Sequence, residues 1–207
     1  MKPSIFKRST LAEAETKLSQ QDPILGSLIA KQQLKLRPQK IDYFESLSSS
    51  IVGQQVSVAA ATAIFNRFKD ATNLNPEKLL SLNDDEMRAI GLSKQKTGYL
   101  RDLAQHFKND PAVYNHLEEQ EDNQVIAELT AVKGIGVWTA QMFLMSTLGR
   151  LDVFAPDDVG LQRAIKLLYN YESVPPKKEL EEIALKWSPY RTVASRHLWQ
   201  SLDNNPA

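Results

Sequence analysis

The chain has 207 residues, with 25 basic and 25 acidic side chains, so its formal net charge is zero. The absence of cysteine excludes disulfides, cysteine nucleophiles, thiolate zinc sites and iron–sulfur clusters. At 42% hydrophobic and 24% charged the composition is that of a globular domain, and neutrality argues mildly against a nucleic-acid partner without excluding a locally basic face. No run of about 18 apolar residues is present, and Met1 to Glu15 lacks the apolar core of a signal peptide. An intracellular protein with no membrane contact is therefore expected.

In chain order the apolar residues recur at helical spacing. Phe44, Leu47 and Ile51 form one stripe, and Ala60, Ile64, Phe65 and Phe68 a second. Leu79, Leu80, Met87 and Ile90 span two short helices broken near Asn83 and Asp84. Tyr99, Leu100 and Leu103 follow, then Val125 and Leu129. Ala140, Phe143 and Leu144 begin the next helix. Leu161, Ala164, Ile165 and Leu168 make another stripe, and Ile183, Ala184, Trp187, Val193, His197 and Leu198 close the chain. Ser57 and Asp84 are predicted N-caps and Gly91 a C-cap. Pro156 and the pair Pro175 and Pro176 start or separate helices. A brief strand over Leu151 to Phe154 is the single β candidate, and Asp203 to Ala207 is expected to fray. The three histidines are too far apart in sequence to suggest a metal site.

Between two of these helices stands Gly134-Ile135-Gly136, followed by Val137, Trp138, Thr139 and Ala140. A tight turn into a new helix leaves amide N–H groups free at the positive end of the helix dipole, an arrangement suited to a phosphate. The glycines alone fit a plain αα-hairpin better. Further on, Pro156-Asp157-Asp158 could be a capped helix start or a carboxylate held for chemistry. A fixed carboxylate can stabilise positive charge that develops in a reaction and accept a proton from water.

Taken together, these stretches resemble the helix-hairpin-helix DNA glycosylases, and within them the 3-methyladenine DNA glycosylase II, or alkylation-repair, family. The similarity runs from Asp22-Pro23-Ile24-Leu25 to Trp199. It implies an all-α fold of two helical lobes with a cleft between them: about residues 69–163 in one, and 1–68 with 164–207 in the other. It implies a monofunctional base-excision enzyme that flips alkylated purines from damaged double-stranded DNA and hydrolyses their glycosidic bond; a DNA-bound monomer is the default expectation.

The resemblance assigns catalysis to Asp158, with Asp157 as a helix cap or supporting partner. Trp138, Trp199 and Met142 would line the base pocket, where electron-rich rings favour a cationic base. Met142 stands where the best-known branch has a tyrosine. Gly134, Ile135, Gly136 and Thr139 would grip a phosphate. Gln55, in Gly53-Gln54-Gln55-Val56-Ser57, would fill the gap left by the flipped nucleotide. Gln54 is expected to satisfy local backbone. Lys94 and Lys96 would meet the DNA backbone. No cofactor is required, but the carbonyls of Thr130, Val132 and Ile135 would hold a Na+ or K+ ion. Relatives with strand-cleaving activity carry a lysine just after the second hairpin glycine; Trp138 stands there, so water is the expected nucleophile and no lyase step is expected. The competing readings are a non-catalytic helix-hairpin-helix DNA-binding protein and a glycosylase for deaminated bases.

Overall fold

The computed structural model describes residues 8–34 and 42–203. Among them all regular structure is helical: α1 (Arg8–Gln21), α2 (Pro23–Ile29), α3 (Tyr43–Gly53), α4 (Val58–Thr72), α5 (Pro76–Ser81), α6 (Asp84–Ile90), α7 (Lys94–Asn109), α8 (Pro111–Tyr114), a 3-10 turn at Leu117–Glu119, α9 (Asp122–Ala131), α10 (Val137–Ser146), α11 (Val159–Leu168), α12 (Lys177–Leu185) and α13 (Arg191–Asp203). The all-α expectation holds. The expected fraying beyond Asp203 lies outside the described residues.

The helices start and stop where side chains replace the backbone partners that a helix end lacks. Ser57 accepts the Ala60 N–H at the start of α4, as predicted. Gly91 ends α6 with φ +101°, a conformation that suits glycine. The α6 cap is Asn83 rather than Asp84. Its side chain takes the Asp85 and Glu86 N–H groups while Glu86 reaches back to the Asn83 N–H, a reciprocal capping box. Asp84 instead pairs with Arg101 at 2.6 Å. The segment Leu151 to Phe154 is not a strand. It lies along the start of α13, where the Thr192 N–H donates to the Leu151 carbonyl at 3.0 Å and the Val153 N–H donates to the Thr192 hydroxyl at 3.1 Å.

The described residues fall into two compact units. One holds α3 to α9 and the first part of α10, as far as Phe143. Its α3 packs on α4 and α7, and Phe44 meets Phe107 edge to face at 5.2 Å. The buried stripe of Phe44, Leu47 and Ile51 from α3 joins Phe68, Leu79, Met87, Leu100 and Leu103 in that core. The other unit holds α1 and α2 with the chain from Leu144 onward. There α1 packs on α2, and α13 on α1, α2 and α11, around Leu18, Leu25, Leu161, Ile165, Trp187 and Leu198.

These bounds differ from the expected 69–163: α3 and α4 join the middle unit, while residues 144–163 belong with the two chain ends. The reason is packing. The apolar face of α3 is covered by α7, and that of α11 by α13.

A hairpin, a pocket and a buried aspartate

In the middle unit, α9 ends at Ala131 and α10 begins at Val137, so the glycine stretch forms the turn between two helices as the sequence implied. Only Gly134 has positive φ, +85°, and a Cβ added there would stand 2.2 Å from the Tyr99 ring. Gly136 meets nothing within 4 Å of such an atom; its carbonyl accepts the Ala140 N–H at 3.1 Å and so opens α10. Ile135 is buried and anchors the turn, while Gly136, Val137 and Trp138 are exposed. The first amides of α10 therefore emerge beside exposed backbone at the positive end of that helix.

A cavity of about 540 Å³ opens beside this turn, lined by Ser49, Ser50, Gly53, Gln54, Gln55, Trp138, Thr139 and Met142. It brings together Trp138 and Met142, expected for base binding, and Gln55 and Thr139, expected for DNA contact. Trp138 is 46% exposed, unusual for so large an aromatic. Ser49 and Ser50 had no sequence signal beyond being polar residues on α3.

Gln55 has φ +55°, a left-handed conformation uncommon outside glycine. Gln54 reaches beyond its own neighbourhood: its Nε2 donates to the Gly134 carbonyl at 2.8 Å, eighty residues away. Lys94 is exposed. Lys96 is half-buried, and its Nζ donates to the Val52 carbonyl at 2.7 Å. Removal from water lowers the pKa of this ammonium. Lys133 is held through its Nζ by Asp102 at 3.2 Å, and the other oxygen of that carboxylate accepts the Lys133 backbone N–H at 2.8 Å.

The carbonyls named for a cation are hard oxygen donors of the kind a monovalent ion takes. Thr130 lies in the last turn of α9, where the terminal carbonyls form the negative end of the helix dipole. Val132 accepts the Ile135 N–H at 3.1 Å, which uses one of its two lone pairs. The donor set fits such an ion.

In the other unit, Asp158 is the N-cap of α11 and is only 9% exposed. Its Oδ1 accepts the Leu161 N–H at 2.8 Å and the Trp199 Nε1–H at 2.9 Å. The cap is therefore Asp158 and not Asp157, which is exposed and pairs with Lys177 at 2.8 Å. Trp199, expected as a pocket wall, uses its indole N–H to orient this carboxylate. Gly160 closes the group: a Cβ there would lie 3.1 Å from Asp158 Oδ1 and 3.2 Å from Trp199 Cδ1. His197, two residues before Trp199, is fully buried between Gln32 and Glu15, and burial lowers its pKa to about 4. It is a packed, neutral histidine.

Residues 48–189 match the family model of the HhH-GPD superfamily base excision DNA repair proteins, and the chain belongs to that superfamily. Among individual relatives, the DNA-3-methyladenine glycosylase 1 of Schizosaccharomyces pombe is 30% identical over 201 residues, covering 93% of this chain and 88% of that protein. The crystal structure of a DNA-3-methyladenine glycosidase from Bacillus halodurans superposes with a TM-score of 0.83 at 39% identity, covering 97% of this chain and 92% of the other. The Schizosaccharomyces pombe 3-methyladenine DNA glycosylase in complex with abasic DNA gives a TM-score of 0.79 at 29% identity, covering 92% of this chain and 97% of that one.

Proposed function

We propose that the protein is a monofunctional DNA glycosylase of base excision repair that removes alkylated purines such as 3-methyladenine and 7-methylguanine. The observation that carries this reading is Asp158: a carboxylate with little access to water, oriented by a backbone amide and an indole N–H at the start of a helix. Membership of the superfamily supplies the reaction class.

Each unit has its own task. The middle unit grips DNA and receives the base. The amide N–H groups of Gly136 and the residues after it donate to a backbone phosphate, and Gln55 enters the stack in place of the flipped nucleotide. Trp138 offers a π face to the cationic purine, a gain of about 0.5–2 kcal/mol. The soft side chain of Met142 lines the same cavity, together with Thr139. The carbonyls of Thr130, Val132 and Ile135 would hold a monovalent cation, whose charge would strengthen the phosphate grip. Lys94 adds a long-range attraction at the surface.

The other unit supplies the chemistry. As the glycosidic bond lengthens, Asp158 stabilises the positive charge growing on the deoxyribose. Water attacks C1′, Asp158 takes its proton, and the bond's electron pair leaves with the purine, whose alkylated ring is already cationic. Trp138 stands where a lysine would be needed for a Schiff base, and Lys133 is paired with Asp102. Hydrolysis therefore ends at an abasic site, with the strand intact.

The test is single-turnover release of 3-methyladenine and 7-methylguanine from methylated duplex DNA by the wild type and by Asp158→Asn. Release by the wild type that drops at least about a hundredfold in the variant, with DNA still bound, is the expected result. Equal rates in both proteins would sink the assignment to Asp158. Binding without release by the wild type would leave a DNA-binding protein or a different lesion. Strand cleavage trapped by borohydride would contradict the water mechanism.

A further inference from the structure

We propose that Gln54 is a positioning residue that fixes the wedge loop in register with the phosphate-binding hairpin. The inference rests on the reading of Gln55 and the hairpin as DNA contacts, and it assigns Gln54 a task that neither the sequence nor that reading requires.

The loop between α3 and α4 is four residues, from Gln54 to Ser57, and the loop with its flanking helix ends is secured at four points. The Gln54 N–H donates to the Ile51 carbonyl at 3.3 Å. Its side-chain amide donates to the Gly134 carbonyl at 2.8 Å. Lys96 Nζ holds the Val52 carbonyl at 2.7 Å. Ser57 caps α4 through the Ala60 N–H at 3.3 Å. Only the second of these reaches the hairpin. Between the fixed ends stands Gln55, exposed and at φ +55°. A glutamine persists in that conformation when its surroundings over-determine it, and such positions cluster where function is built. Gly134, at the far end of the Gln54 amide, is itself fixed by its φ of +85° and by the Tyr99 ring beside it. Gln54 thus joins the residue that must enter the groove to the turn that must hold a phosphate. Without it the loop would have to be ordered anew on each lesion, at a cost in conformational entropy.

Lys96 serves the same loop from its other side. Its ammonium is half-buried on a backbone carbonyl, so its main task is to support α3 and not to neutralise a phosphate.

The experiment compares the wild type with Gln54→Leu, Gln54→His, Gln55→Ala and Lys96→Met. It measures single-turnover release of 7-methylguanine from duplex DNA, fluorescence of a 2-aminopurine beside the lesion as a report of flipping, and affinity for undamaged duplex against salt. Loss of one hydrogen bond predicts about a tenfold slower release and a weaker flipping signal in Gln54→Leu, with affinity for undamaged duplex unchanged. Gln54→His keeps an N–H donor and recovers most of the rate, which a general folding defect would not allow. Lys96→Met slows release by about threefold and leaves the salt slope as it was, whereas a lost phosphate contact would reduce the slope by about one. Gln54→Leu at the wild-type rate, with Gln55→Ala slowed, would overturn the brace and leave the wedge standing. Gln55→Ala at the wild-type rate would remove the wedge reading and the brace with it. A reduced salt slope in Lys96→Met would overturn the supporting role of that lysine.

Discussion

Asp22 and Asp158 are built alike and surrounded differently. Each precedes a helix, each accepts a backbone N–H from that helix's first turn, and each takes the indole N–H of a tryptophan far along the chain: Trp187 at 3.0 Å for Asp22, Trp199 at 2.9 Å for Asp158. Around Asp22 the donors cover both oxygens. Oδ1 takes the Ile24 and Leu25 N–H groups, and Oδ2 takes the Trp187 indole and the Tyr169 phenol. Burial by itself would raise the pKa of Asp22, yet the tyrosine, the indole and the two amides hold it below the ordinary carboxylate value. At Asp158 the cap and indole bonds converge on Oδ1. The next residue along, Val159, is 76% exposed, and Gly160 presses close to the carboxylate. One design thus fixes a carboxylate in two settings. On the proposed function, Asp22 braces the fold and Asp158 is presented for chemistry.

Substitutions that separate shape from charge break this comparison most sharply. Asp158→Asn retains a good helix cap, so its melting temperature should stay near that of the wild type while base release falls at least about a hundredfold. Asp22→Asn should do the reverse. Its amide would point N–H groups at other donors, costing about 2–3 kcal/mol in denaturant unfolding with little change in rate per folded molecule. Lost activity in a folded Asp22→Asn protein would show that the two aspartates are not divided as described.

The tryptophans sharpen the same division with smaller effects. Trp199→Phe removes the donor to Asp158 and should slow release by about tenfold at a cost of about 1 kcal/mol in stability. Gly160→Ala should slow release severalfold, because the new Cβ crowds Asp158 Oδ1 and Trp199, while the unfolding free energy stays within about 1 kcal/mol of wild type, the helix preference of alanine offsetting the crowding. An unaltered rate would show that the carboxylate has room to move.

The smallest effect is acid sensitivity. Because folding depresses the pKa of Asp22, its contribution is complete above about pH 3.8 and is lost as pH falls through the lower folded value. The stability gap between wild type and Asp22→Asn should therefore narrow on acidification from about pH 5 to about pH 2, as measured by unfolding curves at each pH. A constant gap would place the loss elsewhere than in the ionised carboxylate.

Much of this was legible in the sequence because it is local. The helical stripes, the Ser57 and Gly91 caps and the hairpin turn follow from spacing and from residue chemistry within one or two turns. Asn83 was missed as a cap because three cap-competent residues stand in a row there, and only the reciprocal bond from Glu86 selects among them. Asp157 and Asp158 posed the same choice after Pro156. What the sequence hid is long-range. The covering of α3 by α7 set the lobe bounds, and the bonds from Gln54 to Gly134 and from Trp199 to Asp158 join residues with no periodic relation. Gly160 carried no signal at all, since a glycine in the first turn of a helix has many explanations until its neighbours are known.

Gly134 has a consequence for how such a chain can change over generations. Two independent barriers guard the position: its backbone conformation, and a Tyr99 ring that would stand 2.2 Å from any added Cβ. A smaller residue at Tyr99 would lift the second barrier and leave the first intact. No single replacement elsewhere can therefore license a side chain at Gly134. Change in this turn is expected sooner at Gly136, which meets neither barrier, than at Gly134.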